Sequence, residues 1–172
     1  VYALMLSPLI VPTIITAIAA YFLFARVKLI GNPLSLILAH TAIAIPIVVV
    51  VVSASLSGFD RRIETAALSL GATPWYALRR VTLPIIGPGI LTGAVLSFLA
   101  SFDEVVIAVF LAGTGATTLP KKMWEGVWLE ITPAIAAASS FLIFVTIVLF
   151  LAMELLRRRS ERLTHAKIAV ST

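Results

Sequence analysis

Long apolar stretches separated by short polar segments dominate the hydrophobic pattern of this chain. Charged residues are absent from four of them: 1–25, 29–59, 81–102 and 131–153. Each is long enough to form a helix across the hydrocarbon core of a bilayer, which takes about 20 residues. The pattern therefore predicts four membrane spans, over about residues 4–25, 34–53, 85–112 and 131–156. Pro8 and Pro12 predict a kink in the first span, because proline removes a backbone hydrogen-bond donor.

The composition supports a membrane protein and excludes an ordinary soluble domain. Hydrophobic residues make up 60% of the 172 residues and charged residues only 12%, against roughly 45–50% and 25% in a soluble domain. We therefore expect one transmembrane domain, an all-α polytopic helical bundle. The chain has no cysteine and two distant histidines, His40 and His165, so we expect neither a metal site nor a cysteine nucleophile.

The basic residues predict the orientation of the spans. Nine lie on one side of the predicted membrane: Arg61, Arg62, Arg79, Arg80, Arg157, Arg158, Arg159, Arg162 and Lys167. Four lie on the other: Arg26, Lys28, Lys121 and Lys122. Because cytoplasmic loops carry the excess of Lys and Arg, we expect the loop 55–84 and the C-terminus to face the cytoplasm and the loop 113–130 to face outward. Basic residues that flank apolar spans fit membrane topology better than nucleic-acid binding.

The inside loop, residues 55–84, has the signals of two short helices with a break between them. Asp60 is a candidate cap for the first helix, and Gly71 stands where a left-handed residue would end it. Thr73 followed by Pro74 is a second helix start. Four apolar residues at helical spacing form one stripe on the first helix: Ile63, Ala66, Ala67 and Leu70. Such a loop could be a docking element or merely a solvated connector.

The same loop resembles the EAA loop of binding-protein-dependent ABC importer permeases of type I. The family pattern is Glu-Ala-Ala, three residues, Gly, nine residues, an aliphatic residue, one residue, and Leu-Pro. Six residues fall on its positions: Ala66, Ala67, Gly71, Val81, Leu83 and Pro84. The motif glutamate falls on Thr65, and the acid stands one residue earlier, at Glu64.

The resemblance implies a function and a set of partners. Permeases of this family usually have six spans, and this segment resembles the last four, with two N-terminal spans missing. The loop would dock on a cytoplasmic ABC ATPase dimer, with Arg61, Arg62, Arg79 and Arg80 supplying charge at the docking surface. ATP and Mg²⁺ would be bound by that partner, since this chain has no Walker A lysine. A second permease subunit, identical or homologous, a periplasmic solute-binding protein and the bacterial inner membrane are also implied.

Two acids, Asp103 and Glu104, fall about two-thirds of the way across the third predicted span. Charges at that depth are costly and usually mark a pathway or a buried pair. They could form a structural hydrogen bond to a neighbouring helix, or they could line the translocation path and favour a cation. The surrounding segment, residues 101–107, resembles the polyamine branch of the family, whose substrates include putrescine and spermidine.

Two tryptophans, Trp124 and Trp128, share a helix face in the predicted outside loop, near Glu125 and Glu130. Tryptophans at a membrane boundary commonly form an interfacial belt. They could instead recognise an amine by cation–π contact together with a carboxylate, or the loop could contact the solute-binding protein.

Two other classes of function remain open at this point. The chain could be an ion-coupled carrier that uses Asp103 and Glu104, but this interpretation leaves the long inside loop unexplained. It could be an intramembrane enzyme that uses those acids with His40, but no nucleophile and base stand at a spacing typical of a catalytic pair. We expect His40 to be a satisfied core histidine, and Gly89 and Gly93, a GxxxG pair, to be a helix-packing site.

Overall fold

The computed structural model describes the backbone of residues 2–129 and 133–169 and the side chains of residues 5–128 and 133–155. Its elements in chain order are α1 (Tyr2–Ile10), α2 (Thr13–Arg26), α3 (Pro33–Ser57), α4 (Arg61–Ser69), α5 (Pro74–Ala77), a π-helical turn (Leu78–Thr82), α6 (Leu83–Phe102), α7 (Val106–Leu111), α8 (Leu119–Leu129) and α9 (Pro133–Ala169). The all-α fold class is confirmed. Glu130 and the basic side chains of the C-terminal tail lie outside the described residues.

Three helices in the described ranges are long and apolar enough to cross a membrane. They cover Pro33–Ser57, Pro74–Phe102 and Pro133–Leu155, and they correspond to the second, third and fourth predicted spans. Thr13–Arg26 is apolar but shorter.

The first predicted span, residues 4–25, is not one helix. It is divided into α1 and α2 at Pro12, whose ψ of 134° takes the backbone out of the helical region just before α2 begins. Pro8, by contrast, lies inside α1. The two pieces have different neighbours, because α1 packs against α3 whereas α2 packs against α7.

The third predicted span, residues 85–112, differs from the structure at both ends. Its helix begins upstream at Pro74 and ends at Phe102, and a short turn then leads into α7. Near its start the helix widens, and the Leu83 N–H donates to the Leu78 carbonyl five residues back. Pro84 is the next residue. Because proline has no N–H, the preceding turn lacks one regular helical hydrogen bond.

The crossing of α3 and α6 is the largest contact between helices in the described chain. A Cβ atom on Gly89 would lie 2.6 Å from the Ser55 Cβ, and one on Gly93 would lie 3.6 Å from the Val48 Cα. These glycines therefore let the two helices approach closely, as the GxxxG spacing predicts.

A second cluster of buried apolar residues joins α2, α3 and α7, and it consists of Ala17, Leu36, Ala39, Ile107, Ala108 and Leu111. The Gly31 N–H donates to the Leu111 carbonyl at 3.0 Å and links the turn before α3 to the end of α7. In contrast, none of the most apolar 18-residue window of Pro133–Leu155 is buried within the chain. Its apolar surface is therefore available for contacts outside the described residues.

Candidate functional site

The helix–turn–helix of the inside loop is built by local capping interactions. The Asp60 carboxylate accepts a hydrogen bond from the Arg62 N–H at 2.9 Å and caps α4. At the other end of α4, Gly71 has a φ of +90°. The N–H groups of Gly71 and Ala72 donate to the carbonyls of Leu68 and Ala67, respectively. This is the Schellman arrangement, and it confirms the predicted helix end.

The second helix start is confirmed as well. The Thr73 Oγ1 accepts a hydrogen bond from the Tyr76 N–H at 3.3 Å, and Pro74 occupies the first turn of α5. The Thr65 hydroxyl, at the position of the motif glutamate, donates to the Arg61 carbonyl at 3.1 Å within the same helix. Its hydrogen bond therefore stays local to α4.

In the described part of the chain, the apolar stripe of α4 is at most partly covered. No residue of α4 is buried, and the side chain of Leu70 is 89% exposed. A groove of about 490 Å³ lies beside it, lined by Ala67, Leu70, Gly71, Ala72, Thr73 and Tyr76. The helix thus combines capped ends with an exposed apolar face.

The remaining loop residues extend from this surface to the start of α6. Glu64 and Val81 are half-buried, and Leu83 and Pro84 are exposed. The four loop arginines, Arg61, Arg62, Arg79 and Arg80, are all exposed as well. The motif residues thus extend from α4 through the π-helical turn to the first residues of α6.

The two acids lie in a turn and not inside a helix, which corrects the prediction from the sequence. The Asp103 N–H donates to the Leu99 carbonyl and closes α6. The Glu104 carboxylate accepts a hydrogen bond from the Ile107 N–H at 3.0 Å and caps α7. This cap supplies an acceptor for a backbone N–H that has no partner within the first turn of the helix. Asp103 is exposed and Glu104 is half-buried.

A histidine and a serine from different helices meet beside this turn. The His40 Nδ1 of α3 lies 2.8 Å from the Ser101 Oγ of α6. The His40 Nε2 is buried and has no hydrogen-bond partner in the described part of the chain. The predicted core histidine therefore has a hydrogen-bond partner at Nδ1.

These residues belong to a cleft that the sequence did not reveal. The cleft has a volume of about 710 Å³, lies between α3, α6 and the start of α8, and is mostly apolar. On its wall the rings of Phe98 and Phe102 stack with centroids 5.4 Å apart. The only sequence signal for it is the presence of polar residues, His40 and Ser101, within apolar stretches.

The two tryptophans lie on α8 and contact each other. Their rings form an edge-to-face pair with centroids 5.9 Å apart, and both are more than half exposed. In the same helix Lys121 donates to the Ala112 carbonyl at 2.9 Å and lies 3.6 Å from the Glu125 carboxylate. Neither tryptophan lines the cleft.

Comparison with known protein families identifies the chain. Residues 1–165 match the model of the "Binding-protein-dependent transport system inner membrane component". The chain belongs to this family. It is therefore a multi-pass membrane protein of the transport-subunit class.

Two relatives of this binding-protein-dependent family come from Escherichia coli strain K12. The putrescine transport system permease protein PotI is 39% identical over 163 residues, which cover 91% of this chain and 58% of PotI. The spermidine/putrescine transport system permease protein PotC is 35% identical over 147 residues, which cover 86% of this chain and 56% of PotC. The chain thus spans less than two thirds of either relative.

A solved structure of the MetNI methionine ABC transporter, in an inward-facing conformation, has the same fold. It matches with a TM-score of 0.72 and 20% identity, covering 92% of this chain and 72% of the MetNI chain. The type I importer fold is confirmed by this similarity. Family membership favours a transport subunit over the ion-coupled carrier and the intramembrane enzyme.

Proposed function

We propose that this chain forms part of the membrane path of an ATP-driven importer and that its inside loop docks on a cytoplasmic ABC ATPase. The observation that carries the proposal is the exposed apolar stripe of α4, held between a capped start and a Schellman end. The apolar face of such an amphipathic helix is exposed to water here, and packing against a partner would bury this face. ATP and Mg²⁺ belong to that partner.

The loop also has a direct mechanical connection to the membrane. Residues Pro74–Phe102 form one helical stretch of 29 residues, from the second loop helix to the turn that holds Asp103 and Glu104. A rotation or shift imposed on the loop would therefore be transmitted along one continuous helical stretch to the acids. This connection supports alternating access driven by closure of the ATPase dimer.

The proposed orientation follows from the distribution of basic residues. The loop and the C-terminus face the cytoplasm, and α8 with its two tryptophans faces outward, where a solute-binding protein would deliver the cargo. A second permease subunit, identical or homologous, would complete the path. The unburied apolar surface of Pro133–Leu155 leaves room for contact with such a subunit or with lipid.

We infer that the cargo is a small cation, of the polyamine type represented by putrescine and spermidine. Asp103 is exposed and Glu104 half-buried at a break between two apolar helices, so their carboxylates are available to attract an ammonium group. The similarity to two polyamine permeases supports the same class of cargo.

Co-purification of the full-length permease with its ATPase tests the docking surface. Replacing Ala66 or Ala67 with tryptophan would place a bulky ring on the apolar stripe and abolish the complex, while the permease would still insert in the membrane. The matched control is Val27→Trp, because Val27 is also an exposed apolar residue but lies in the turn after α2. Retention of the ATPase by both stripe variants would refute the proposal.

A further inference from the structure

We propose that the π-helical turn Leu78–Thr82 is a two-state joint between the inside loop and α6, and that Thr82 is the positioning residue of this joint. Its role rests on the proposed function, because a docked ATPase would drive the change. The starting point is one anomaly. Thr82 is only 4% exposed, and its Oγ1 is buried without a hydrogen-bond partner in the described part of the chain, although buried hydroxyls are normally paired.

The missing partner of Thr82 has to come from the chain itself. Within a helix a threonine hydroxyl donates to the carbonyl four residues back, as Thr65 and Thr92 do here at 3.1 and 2.9 Å. For Thr82 that acceptor is the Leu78 carbonyl, which accepts the Leu83 N–H in the π-helical turn. Because the Thr82 hydroxyl is buried, a ligand or a partner protein would not reach it without a rearrangement of this turn.

A change of the turn from the π form to a regular α-helical form would supply the partner. The Leu83 N–H would then donate to the Arg79 carbonyl, four residues back. The Leu78 carbonyl would be released from its present bond, and the Thr82 hydroxyl would donate to it as other helical hydroxyls do. The α form thus satisfies the group that the observed form leaves unpaired.

Pro84 keeps the two forms of the turn balanced. Because proline has no N–H, the Arg80 carbonyl, four residues before it, would lack its helical donor in the α form. The π form leaves the Thr82 hydroxyl unpaired instead. Since each form has one such deficiency, a modest difference in the contacts made by a partner is enough to select between them.

The change would move the inside loop relative to α6. A regular helix turns by about 100° per residue, and a π-helical turn holds one residue more than an α-helical turn. Conversion would therefore rotate the segment before the turn by about 100° around the helix axis. Tyr76, which lines the groove beside Leu70, and Arg79 are exposed on the part that moves. An ATPase that contacts these side chains would bind the two forms with different affinities, which is the condition for driving the change.

A distance measured within the helical stretch Pro74–Phe102 tests the joint, because a rigid movement of the whole stretch would leave that distance unchanged. Spin labels would be attached to Trp75→Cys and Leu91→Cys, two exposed positions on opposite sides of the turn. The full-length permease, without other cysteines, would be reconstituted with its ATPase in lipid nanodiscs, with one labelled copy per complex. Pulsed electron paramagnetic resonance would be recorded without nucleotide and with ATP on an ATPase variant that does not hydrolyse it. We expect two distances that differ by several ångströms, with populations that change when ATP binds.

Thr82→Val removes the hydroxyl and nearly preserves the shape of the side chain. We expect it to hold the turn in the π form, so that the population with the second distance falls about fivefold, the loss expected for one hydrogen bond, and solute uptake falls with it. The unfolding midpoint should not decrease, because the hydroxyl is unpaired in the observed form. Thr82→Ser keeps a hydroxyl and is expected to retain both distances.

Thr92→Val is the matched control within the same helix. Its hydroxyl already donates to the Pro88 carbonyl at 2.9 Å, so the variant should lower the unfolding midpoint and leave the two distances and their populations unchanged. If Thr82→Val does not assemble with the ATPase, the wild-type distances alone decide the question.

The outcomes separate the joint from the proposed function. A single distance that is the same with and without ATP refutes the joint, and wild-type populations in Thr82→Val refute the role of its hydroxyl. In both cases a complex that still co-purifies with the ATPase and imports solute leaves the proposed function standing. A wild-type permease that does not co-purify with the ATPase overturns the proposed function, and the joint with it, before any distance is measured.

Discussion

Gly89 of α6 lies directly against Ser55 of α3, so close that a Cβ atom on the glycine would collide with the serine hydroxyl and lie 2.6 Å from its Cβ. This contact lies where the third apolar helix crosses the second, close to the end of α3 that leads into the inside loop. The packing of α6 on α3 beside the inside loop thus depends on a position that has no room for even one methyl group.

Gly89→Ala is therefore expected to destabilise the permease by about 1–3 kcal/mol, the usual cost of an extra methylene in a packed site. The thermal unfolding midpoint of the purified complex would measure this. Gly87→Ala is the matched control, because nothing lies within 4 Å of a Cβ atom at that position. The double variant Ser55→Gly/Gly89→Ala should recover most of the loss. An unchanged midpoint in Gly89→Ala would contradict the packing described here.

Gly71→Ala is expected to weaken coupling to the ATPase more than it weakens the fold. Gly71 has a φ of +90°, which costs an L-residue about 1–2 kcal/mol, although a Cβ atom there would have open space around it. The strain would therefore fall on the end of α4, and not on the membrane helices. ATPase stimulation and polyamine uptake would drop while the unfolding midpoint stays nearly constant.

Gly58→Ala serves as the control for Gly71→Ala. Gly58 ends α3 with a φ of −84°, which alanine adopts without strain. It belongs to the same loop as Gly71. Equal loss of coupling in both variants would show that any change in the loop is harmful and that the left-handed residue has no special role.

Glu104→Gln separates the charge of the acid from its role in capping α7. The amide oxygen can still accept the hydrogen bond from the Ile107 N–H, whereas the negative charge is lost. We expect normal assembly and about a tenfold fall in putrescine uptake, equivalent to ~1.4 kcal/mol, with a similar fall for Asp103→Asn. Uptake of the labelled solute into proteoliposomes is the measurement.

Glu125→Gln tests whether the amine is recognised at the turn with Asp103 and Glu104 or at the outside loop. Glu125 pairs with Lys121 at 3.6 Å and is half exposed, so the loss of this surface ion pair should cost little. If uptake fell in Glu125→Gln and stayed normal in the Asp103 and Glu104 variants, amine recognition would lie at the outside loop beside Trp124 and Trp128.

The parts of the fold that could be predicted from the sequence are those determined by near neighbours. The cap at Asp60, the left-handed Gly71 and the start at Thr73 each depend on hydrogen bonds that span five residues or fewer. Such contacts leave a signature in residue type and spacing. The apolar stretches likewise determine where membrane-length helices can form.

The breaks within those stretches could not be located by hydropathy alone. The apolar segment continues past Phe102, but α6 ends there and the carboxylate of Glu104 caps a new helix. By contrast, the break between α1 and α2 falls at Pro12, one of the two prolines that predicted a kink. The pairing of His40 with Ser101 joins residues 61 positions apart, and only the crossing of α3 and α6 brings them together.

Site-directed crosslinking from Leu70 tests the central claim most directly. The segment has no cysteine, so Leu70→Cys, in a full-length permease without other cysteines, would carry one thiol on the exposed apolar stripe. We predict that a short bifunctional reagent joins this thiol to the ATPase subunit and that a membrane-impermeant maleimide added outside intact cells does not label it. Labelling from outside, with no crosslink to the ATPase, would contradict the account.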